Sequence, residues 1–288
     1  MIAPNQSIDK PIPAQAGIGL RSEHYQVLSH RLPSVAWLEC HSENYFGDGG
    51  EPIYYLSALA RHYPLSFHGI GLSLGSADPL SLDHLKKLKT LIDHYQPGLV
   101  SEHLSWSSLN GRYYNDLLPL PYTQQSLNHM VDRIDQAQNF LGRQLLIENV
   151  SSYLQFTGSD IPEWEFVAAT AKRAGCGILL DINNIYVNAN NHGLDPYTYI
   201  NHIPAELVGE FHLAGHTVKQ VDGTHVMIDS HDHPVCAAVW QLYRYALEHI
   251  GVRPTLIEWD TNLPPLDTLL AEAATARHII EAQHEHVA

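Results

Sequence analysis

Cysteine is scarce in this chain. Three residues, Cys40, Cys176 and Cys236, are spread through 288 positions, and no CxxC pair occurs. An odd, scattered set builds no disulfide framework and fits a reduced compartment. Each cysteine reads as a small buried hydrophobe. Basic residues are also few: 16 Lys and Arg face 31 Asp and Glu, a net charge of −15 with histidine neutral. Such a surface disfavours broad contact with a phosphate backbone, because counterion release needs Lys and Arg. Nucleic acid is therefore not an expected partner. No apolar run approaches the ~18 residues of a membrane span, and the opening MIAPNQSIDKPIPAQAG holds no apolar signal core. The cytoplasm is the expected location, with no membrane association. Nucleotide signatures are missing as well. Gly69-x-Gly71 lacks the third glycine and the acidic residue of a dinucleotide fingerprint, and no P-loop, GxSxG or Cys/His nucleophile pattern is present.

What the chain does have is length, apolar segments and 20 histidines. Its size is close to the roughly 250 residues of one (β/α)8 barrel. Eight short apolar segments read as strands: 17–20, 35–39, 65–68, 99–103, 145–148, 177–181, 207–212 and 254–258. Most lack alternation, as expected of parallel strands covered on both faces. Helical segments fill the gaps. Asp78-Pro79 opens one with Leu82, Leu85, Leu88, Leu91 and Ile92 at 3-4 spacing. Thr123 reads as the N-cap of a second, closed by Gly142. Others begin at Asp160-Ile161-Pro162, at Pro234 and near Pro264, the last carrying His284-Glu285-His286 at a frayed end. The expected fold is α/β: a single (β/α)8 TIM barrel over 17–288, with a flexible lead-in over 1–16 marked by Pro11 and Pro13. The long connections after the fourth, fifth and seventh strands carry Gly, Asn, Tyr and Trp and are expected to contact substrate.

Six of the apolar runs stop at a residue able to bind a metal: His68, Glu102-His103, Glu148, Asp181, His212 and Glu258. Asp229-Ser230-His231 adds two more candidates. A lone His or Glu at a strand end is usually a hydrogen-bonded structural group. Here all the strand ends face one rim of the barrel. Carboxylates gathered there repel and raise one another's pKa values, and cations remove that cost. The expected centre thus holds more than one ion. His68 and His103 can share an ion with Glu148, and Glu148 can bridge to a second ion held by Asp181, His212 and Glu258. Asp229 and His231, with Asn184 or a bridging Asp181, can hold a third. Mixed His and carboxylate ligation suits Zn, Fe or Mn. Glu43, Asn44, Asn183 and His216 are expected around the centre or against substrate, and Trp106 and Trp259 in the packing of the rim.

The blocks GIGLR, ECHSENYFGDGG, LSFHGIGLSLGS, VSEHLSW, LIENVSSY, LLDINNIYVNA, EFHLAGH, IDSHDHPV and TLIEWD, running from Gly17 to beyond Asp260, resemble the multinuclear non-heme iron-dependent oxidases. This family, long catalogued as a domain of unknown function, includes methanobactin- and bufferin-type biosynthesis enzymes. The resemblance implies a TIM barrel with two or three iron ions, Fe(II) or Fe(III). It implies O2-dependent oxidation of cysteines in a ribosomally made precursor peptide, assisted by a small leader-binding partner protein. The ligands it carries over are His68, His103, Glu148, Asp181, His212, Asp229, His231 and Glu258, together with Asn184. Trinuclear zinc apurinic endonucleases use nearly the same ligand order, but place His three residues after the Asp where this chain has Asn184. Metal-dependent sugar isomerases of similar fold typically use a lysine in the mouth, and none lies near a strand end here. A metal-storage protein would load and release ions without turnover.

Overall fold

The computed structural model describes residues 11–287. Twelve strands form in chain order: β1 Ala16–Gly19, β2 Leu38–His41, β3 Leu65–Gly69, β4 Leu99–His103, β5 Trp106–Leu109, β6 Arg112–Leu118, β7 Leu146–Glu148, β8 Gly177–Asp181, β9 Val208–Leu213, β10 Thr217–Val221, β11 Thr224–Ile228 and β12 Thr255–Ile257. Eight of them close a parallel barrel in the order β1-β12-β9-β8-β7-β4-β3-β2. β5 with β6, and β10 with β11, are separate antiparallel hairpins. The fold class expected from the sequence is the one observed, and each expected strand overlaps a barrel strand. The clearest shift is in the second. It begins at Leu38, three residues late, and runs on to His41, and just before it the Trp37 indole N–H bonds the Gln15 carbonyl at 2.9 Å. Gly17 permits this, since a Cβ there would collide with the Trp37 ring. The first ten residues of the expected lead-in lie outside the described residues.

Helices cover the outside. Thr123 caps Gln124–Leu141 by accepting from the Ser126 N–H, and Gly142 closes it in the left-handed conformation. Glu163–Ala174 ends likewise at Gly175. The helix expected from Asp78 starts later, at Leu82, because Ser81 rather than Asp78 accepts from the His84 N–H. Leu82 therefore lies in the first turn and is exposed, while Leu85, Leu88, Leu91 and Ile92 are buried. The last helix is Leu266–Val287; the side chains of His284, Glu285 and His286 lie outside those described.

Ile18, Leu38, Phe67, Val100, Ile147, Ile178, Leu180 and Phe211 from the barrel strands pack into one core with Leu88, Ile134, Phe166, Leu242 and Ile279 from the helices. This apolar burial, at roughly 25 cal/mol per Å2, fixes the strand register. Register in turn fixes the mouth. His41 pairs with His68, His103 with Glu148, and Asp181 with His212. These rungs lie at the C-terminal ends of their strands, where barrel enzymes place their chemistry. No helix among the described residues is long and apolar enough to cross a membrane.

Candidate metal centre

The strand ends bring three of the sequence candidates to van der Waals distance. His68 Nε2 is 3.3 Å from His103 Nε2 and 3.2 Å from Glu148 Oε2, and His103 Nε2 is 3.3 Å from the same oxygen. The outer nitrogens of both rings are already engaged: His68 Nδ1 meets Ser101 Oγ at 2.7 Å, and His103 Nδ1 donates to the Gly69 carbonyl at 3.0 Å. This leaves the Nε2 lone pair of His103 aimed inward. An ion bound at about 2.1 Å spans ligand–ligand edges of roughly 3.0–3.4 Å, which is the size of this triangle.

Glu148, Asp181, His212 and Glu258 form a second group, with one ligand atom from each within 4.8 Å of the others. His212 presents Nδ1 to it, 3.0 Å from Glu258 Oε2 and 3.9 Å from Glu148 Oε1. Glu148 thus belongs to both groups, one oxygen toward each. Asn149 fixes Asp181 by bonding both its N–H and its carbonyl, at 2.9 and 3.0 Å. Asp229 and His231 enter no three-membered group among the described residues, but they face one another, Oδ1 to Nε2, at 2.6 Å. Asn183 donates to Asp229 Oδ1 at 2.7 Å and Ser151 to Oδ2 at 3.2 Å. His216 in turn bonds Asn183 Oδ1 at 2.9 Å.

Around these groups, Glu148 Oε2, Asp181 Oδ2, Asn184 Oδ1 and His231 Nε2 are buried with no partner at hydrogen-bonding geometry among the described residues. Buried polar atoms are rarely left so, and all four are oxygen or imidazole donors of the kind that ligate cations. The electrostatics agree. Burial pushes Glu148 well above the usual carboxylate range, with Asp181 and Glu258 adding repulsion against the pull of His103 and His212. Burial and the Asp229 charge push Asp181 up to about 7. Burial opposes charge on His103, but Glu148 and Glu102 outweigh it and raise the ring to about 9. Burial holds His68 well below the usual imidazole value, reinforced by His103 and His212. Glu258 is held well below its usual value by His231 and His212 despite its burial. The residues present fit a centre of hard cations, which would supply the positive charge these side chains lack.

A cavity of about 540 Å3 opens over the groups, with His68, His103, Glu148 and Glu258 lining it alongside Tyr114 and Leu117 of β6, Val150 and Tyr153. Asn184, Asp229 and His231 line it too. Trp106 is half-buried and bonds the Pro119 carbonyl, and Trp259 is buried. Glu43 and Asn44 are elsewhere. Glu43 is drawn to the loop after β3, where its Oε1 accepts from the Ile70 and Gly71 N–H groups at 3.0 and 2.8 Å, while Asn44 is exposed. Neither lines the cavity.

Several site residues carry no strand-end mark in the sequence. Arg21 reaches Asp260 at 2.5 Å, Glu258 at 3.8 Å and His41 Nε2 at 3.0 Å, placing a fixed positive charge against the acidic wall. Asp260 also meets His231 Nδ1 at 3.2 Å. Glu39 and Glu210 lie under His212. Alternation is the available signal: Glu39 and His41 on β2, and Glu210 and His212 on β9, are two apart and so share a strand face.

His231 sits at φ 47°, a left-handed conformation uncommon outside glycine. It is held by its N–H to the Gly215 carbonyl at 3.1 Å and by the Asp260 N–H to its own carbonyl at 2.8 Å. A Cβ on Gly215 would strike the backbone of His233 and Pro234. Gly215→Ala should therefore displace the loop carrying His231 and destabilise the protein by about 1–3 kcal/mol. A thermal melt unchanged from that of the unsubstituted chain would contradict this packing.

Residues 15–281 match the family model for the RiPP precursor modification enzymes MbnB/TglH/ChrH, RiPP denoting a ribosomally synthesised, post-translationally modified peptide. A UPF0276 protein of Acaryochloris marina is 52% identical over 262 residues, covering 91% of this chain and 93% of the relative. One from Vibrio parahaemolyticus is 50% identical over 260 residues, covering 90% of each. Among solved structures, an L-ribulose 3-epimerase superposes with a TM-score of 0.60 at 16% identity, covering 96% of this chain and 97% of its own. Endonuclease IV from Thermus thermophilus gives 0.59 at 14%, covering 94% and 99%. These two likenesses show the barrel alone. The match along nearly all of the chain, with relatives at half identity, shows that it belongs to the MbnB/TglH/ChrH family of RiPP precursor modification enzymes.

Proposed function

We propose that this chain is an O2-dependent oxidase acting on cysteine residues of a ribosomally made precursor peptide, at a centre of two or three iron ions. The observation that carries it is the doubly shared Glu148 beneath an open cavity, with unpartnered donor atoms on both sides. His68, His103 and Glu148 would hold one ion; Glu148, Asp181, His212 and Glu258 a second; Asp229 and His231, with Asn184 and Asp181, a third. Iron there would supply a seat for a cysteine thiolate and a path by which electrons leave the cysteine for O2.

The protein's own part is placement. Tyr114 and Tyr153 line the cavity and are each 44% exposed, giving an extended peptide two flat faces to lie against. Val150, Ile70 and Leu117 make part of the wall apolar, which limits water and strengthens every charge interaction inside. Arg21 braces Glu258, and Asp260 braces His231. The side-chain amide of Asn183 holds Asp229 by the oxygen that faces His231, and so fixes the carboxylate against the ring. A second, leader-binding protein would deliver the peptide, and the cytoplasm is where such a precursor is made.

The test is metal analysis after purification without oxygen, followed by peptide mass measurement. Two or three iron ions per chain are expected. A Cys-containing precursor peptide, given the iron-loaded enzyme, its partner and O2, should lose hydrogen mass at cysteine, and its Cys→Ser form should be inert. Stoichiometric zinc with cleavage of abasic DNA would instead support a hydrolase of the endonuclease IV kind, and epimerisation of a ketose a sugar-isomerase relative. The net charge of −15 argues against tight duplex binding at physiological salt.

A further inference from the structure

Two carboxylates under the centre are used by no step of the proposed reaction. Glu39 on β2 and Glu210 on β9 are both fully buried, and neither lines the cavity. They converge on the far side of His212. Glu39 Oε2 is 3.3 Å and Glu210 Oε1 3.8 Å from His212 Nε2, while Nδ1 of the same ring points the other way, toward Glu258 and Glu148. The imidazole is thus a bridge between two acidic sets. A neutral ring carries one N–H. If Nδ1 is to donate its lone pair to a cation, the proton must stay on Nε2, and Glu39 is the acceptor placed to keep it there.

Structural support alone does not account for the pair. Glu39 Oε1 and both oxygens of Glu210 have no hydrogen-bond partner among the described residues. A buried carboxylate without partners costs stability, and a neutral amide of the same shape would cost less. The fixed cation whose charge reaches Glu39 is Arg21, which is also engaged by Asp260 and Glu258. The placement of two buried carboxyl groups against one ring nitrogen is explained if they act through His212 on what its other nitrogen holds.

We infer that Glu39 and Glu210 are positioning residues for His212: they hold its proton on Nε2, strengthen Nδ1 as a donor, and so tighten the ion that His212 holds and favour its higher oxidation state. This rests on the metal-centre reading. A carboxylate accepting from a ligating imidazole fixes the ring's tautomer and orientation and raises its basicity. Glu39 does this by a direct contact, and Glu210 adds negative charge from slightly farther away.

The distinguishing signature is a pair of opposite changes. Glu39→Gln and Glu210→Gln should each raise the melting temperature of the metal-free protein, because a buried carboxyl oxygen without a partner is replaced by an amide that cannot ionise. Each should also weaken the binding of one ion, measured with Zn2+ by chelator competition. The loss should be roughly 10–100-fold for Glu39→Gln and smaller for Glu210→Gln. In the iron-loaded protein both should shift the reduction potential upward, Glu39→Gln the more. Should Glu39→Gln not fold, Glu210→Gln, which gives up no hydrogen bond, carries the test. A chain that binds Zn2+ normally, with both variants binding as tightly and at unchanged potential, overturns this inference alone. A chain that binds neither Zn2+ nor Fe2+ overturns the metal-centre reading, and this inference with it.

Discussion

Glu148→Gln is expected to empty two metal positions at once, while His231→Ala empties one. The asymmetry follows from the carboxylate's two faces. Glu148 Oε2 closes the triangle with His68 and His103, and Oε1 approaches His212 Nδ1 at 3.9 Å. An amide keeps the shape but loses the charge, and its nitrogen face cannot ligate. His231 lies between Asp229 on one side and Asp260 on the other, away from the triangle. Losing a direct ligand costs more than the 10–100-fold typical of groups one layer out, so at micromolar metal the affected positions should be vacant. Metal analysis of the two variants, purified side by side without oxygen, reads this directly. Full loading in Glu148→Gln would remove Glu148 from the bridging role. His68→Ala and His103→Ala should each empty the triangle alone. Both rings are buried at the cavity floor, at 1% and 7% exposure, rather than at a solvent-facing rim. A melting curve for each variant separates loss of metal from loss of fold.

Much of the site is legible in the chain because the barrel's strands are short apolar runs that end at chemistry-bearing residues. His68, His103, Glu148, Asp181 and His212 close or nearly close their strands, so the end of a run marks each of them. Glu39, His41 and Glu210 carry no such mark, because their significance depends on what lies across the barrel. Arg21 is hidden for a similar reason. Its partners Glu258 and Asp260 are more than 230 residues away in sequence, a pairing that barrel closure alone creates. The two hairpins do leave a local mark. Asn110-Gly111 and Asp222-Gly223 join their strands with all four residues at positive φ, the turn such dipeptides favour. Their strands are rich in polar residues and partly exposed, so they lack the continuous apolar character that picks out the parallel barrel strands. Glu43 departs from expectation in the other direction. Its position just past β2 suggests the mouth, but the amide N–H groups of Ile70 and Gly71 attract it more strongly than the cavity does.

The metal-free protein should lose stability as pH rises from about 5 to about 9, and metal should flatten or reverse that slope. In the folded chain burial lifts Asp181 from 3.8 to about 7 and Glu210 from 4.5 to about 7. A carboxyl whose folded pKa is raised binds more protons folded than unfolded across that interval, so stability falls as pH climbs through it. His103 is raised from 6.5 to about 9, its carboxylate neighbours outweighing burial. Its contribution is present in full below 6.5 and is lost as pH rises through 9. The two windows run in the same direction and join. Glu258 and Asp260 act oppositely, being held below their usual values by the histidines and Arg21 against their burial. Their stabilisation is lost only at acid pH, which places the stability maximum of the metal-free form on the acid side of about pH 5. A tenfold change in proton affinity is worth about 1.4 kcal/mol, so even with neighbouring groups sharing protons the fall across the range should be a few kcal/mol. Metal ions take the place of the protons. Their binding strengthens as ligands deprotonate, and at roughly a thousand times Kd one ion adds about 4 kcal/mol. Thermal melts from about pH 5 to 9, with chelator and with Zn2+, should therefore diverge as pH rises, the gap widest at the alkaline end. Curves that stay parallel would mean that the buried carboxylates are neutralised by something other than a cation at this centre.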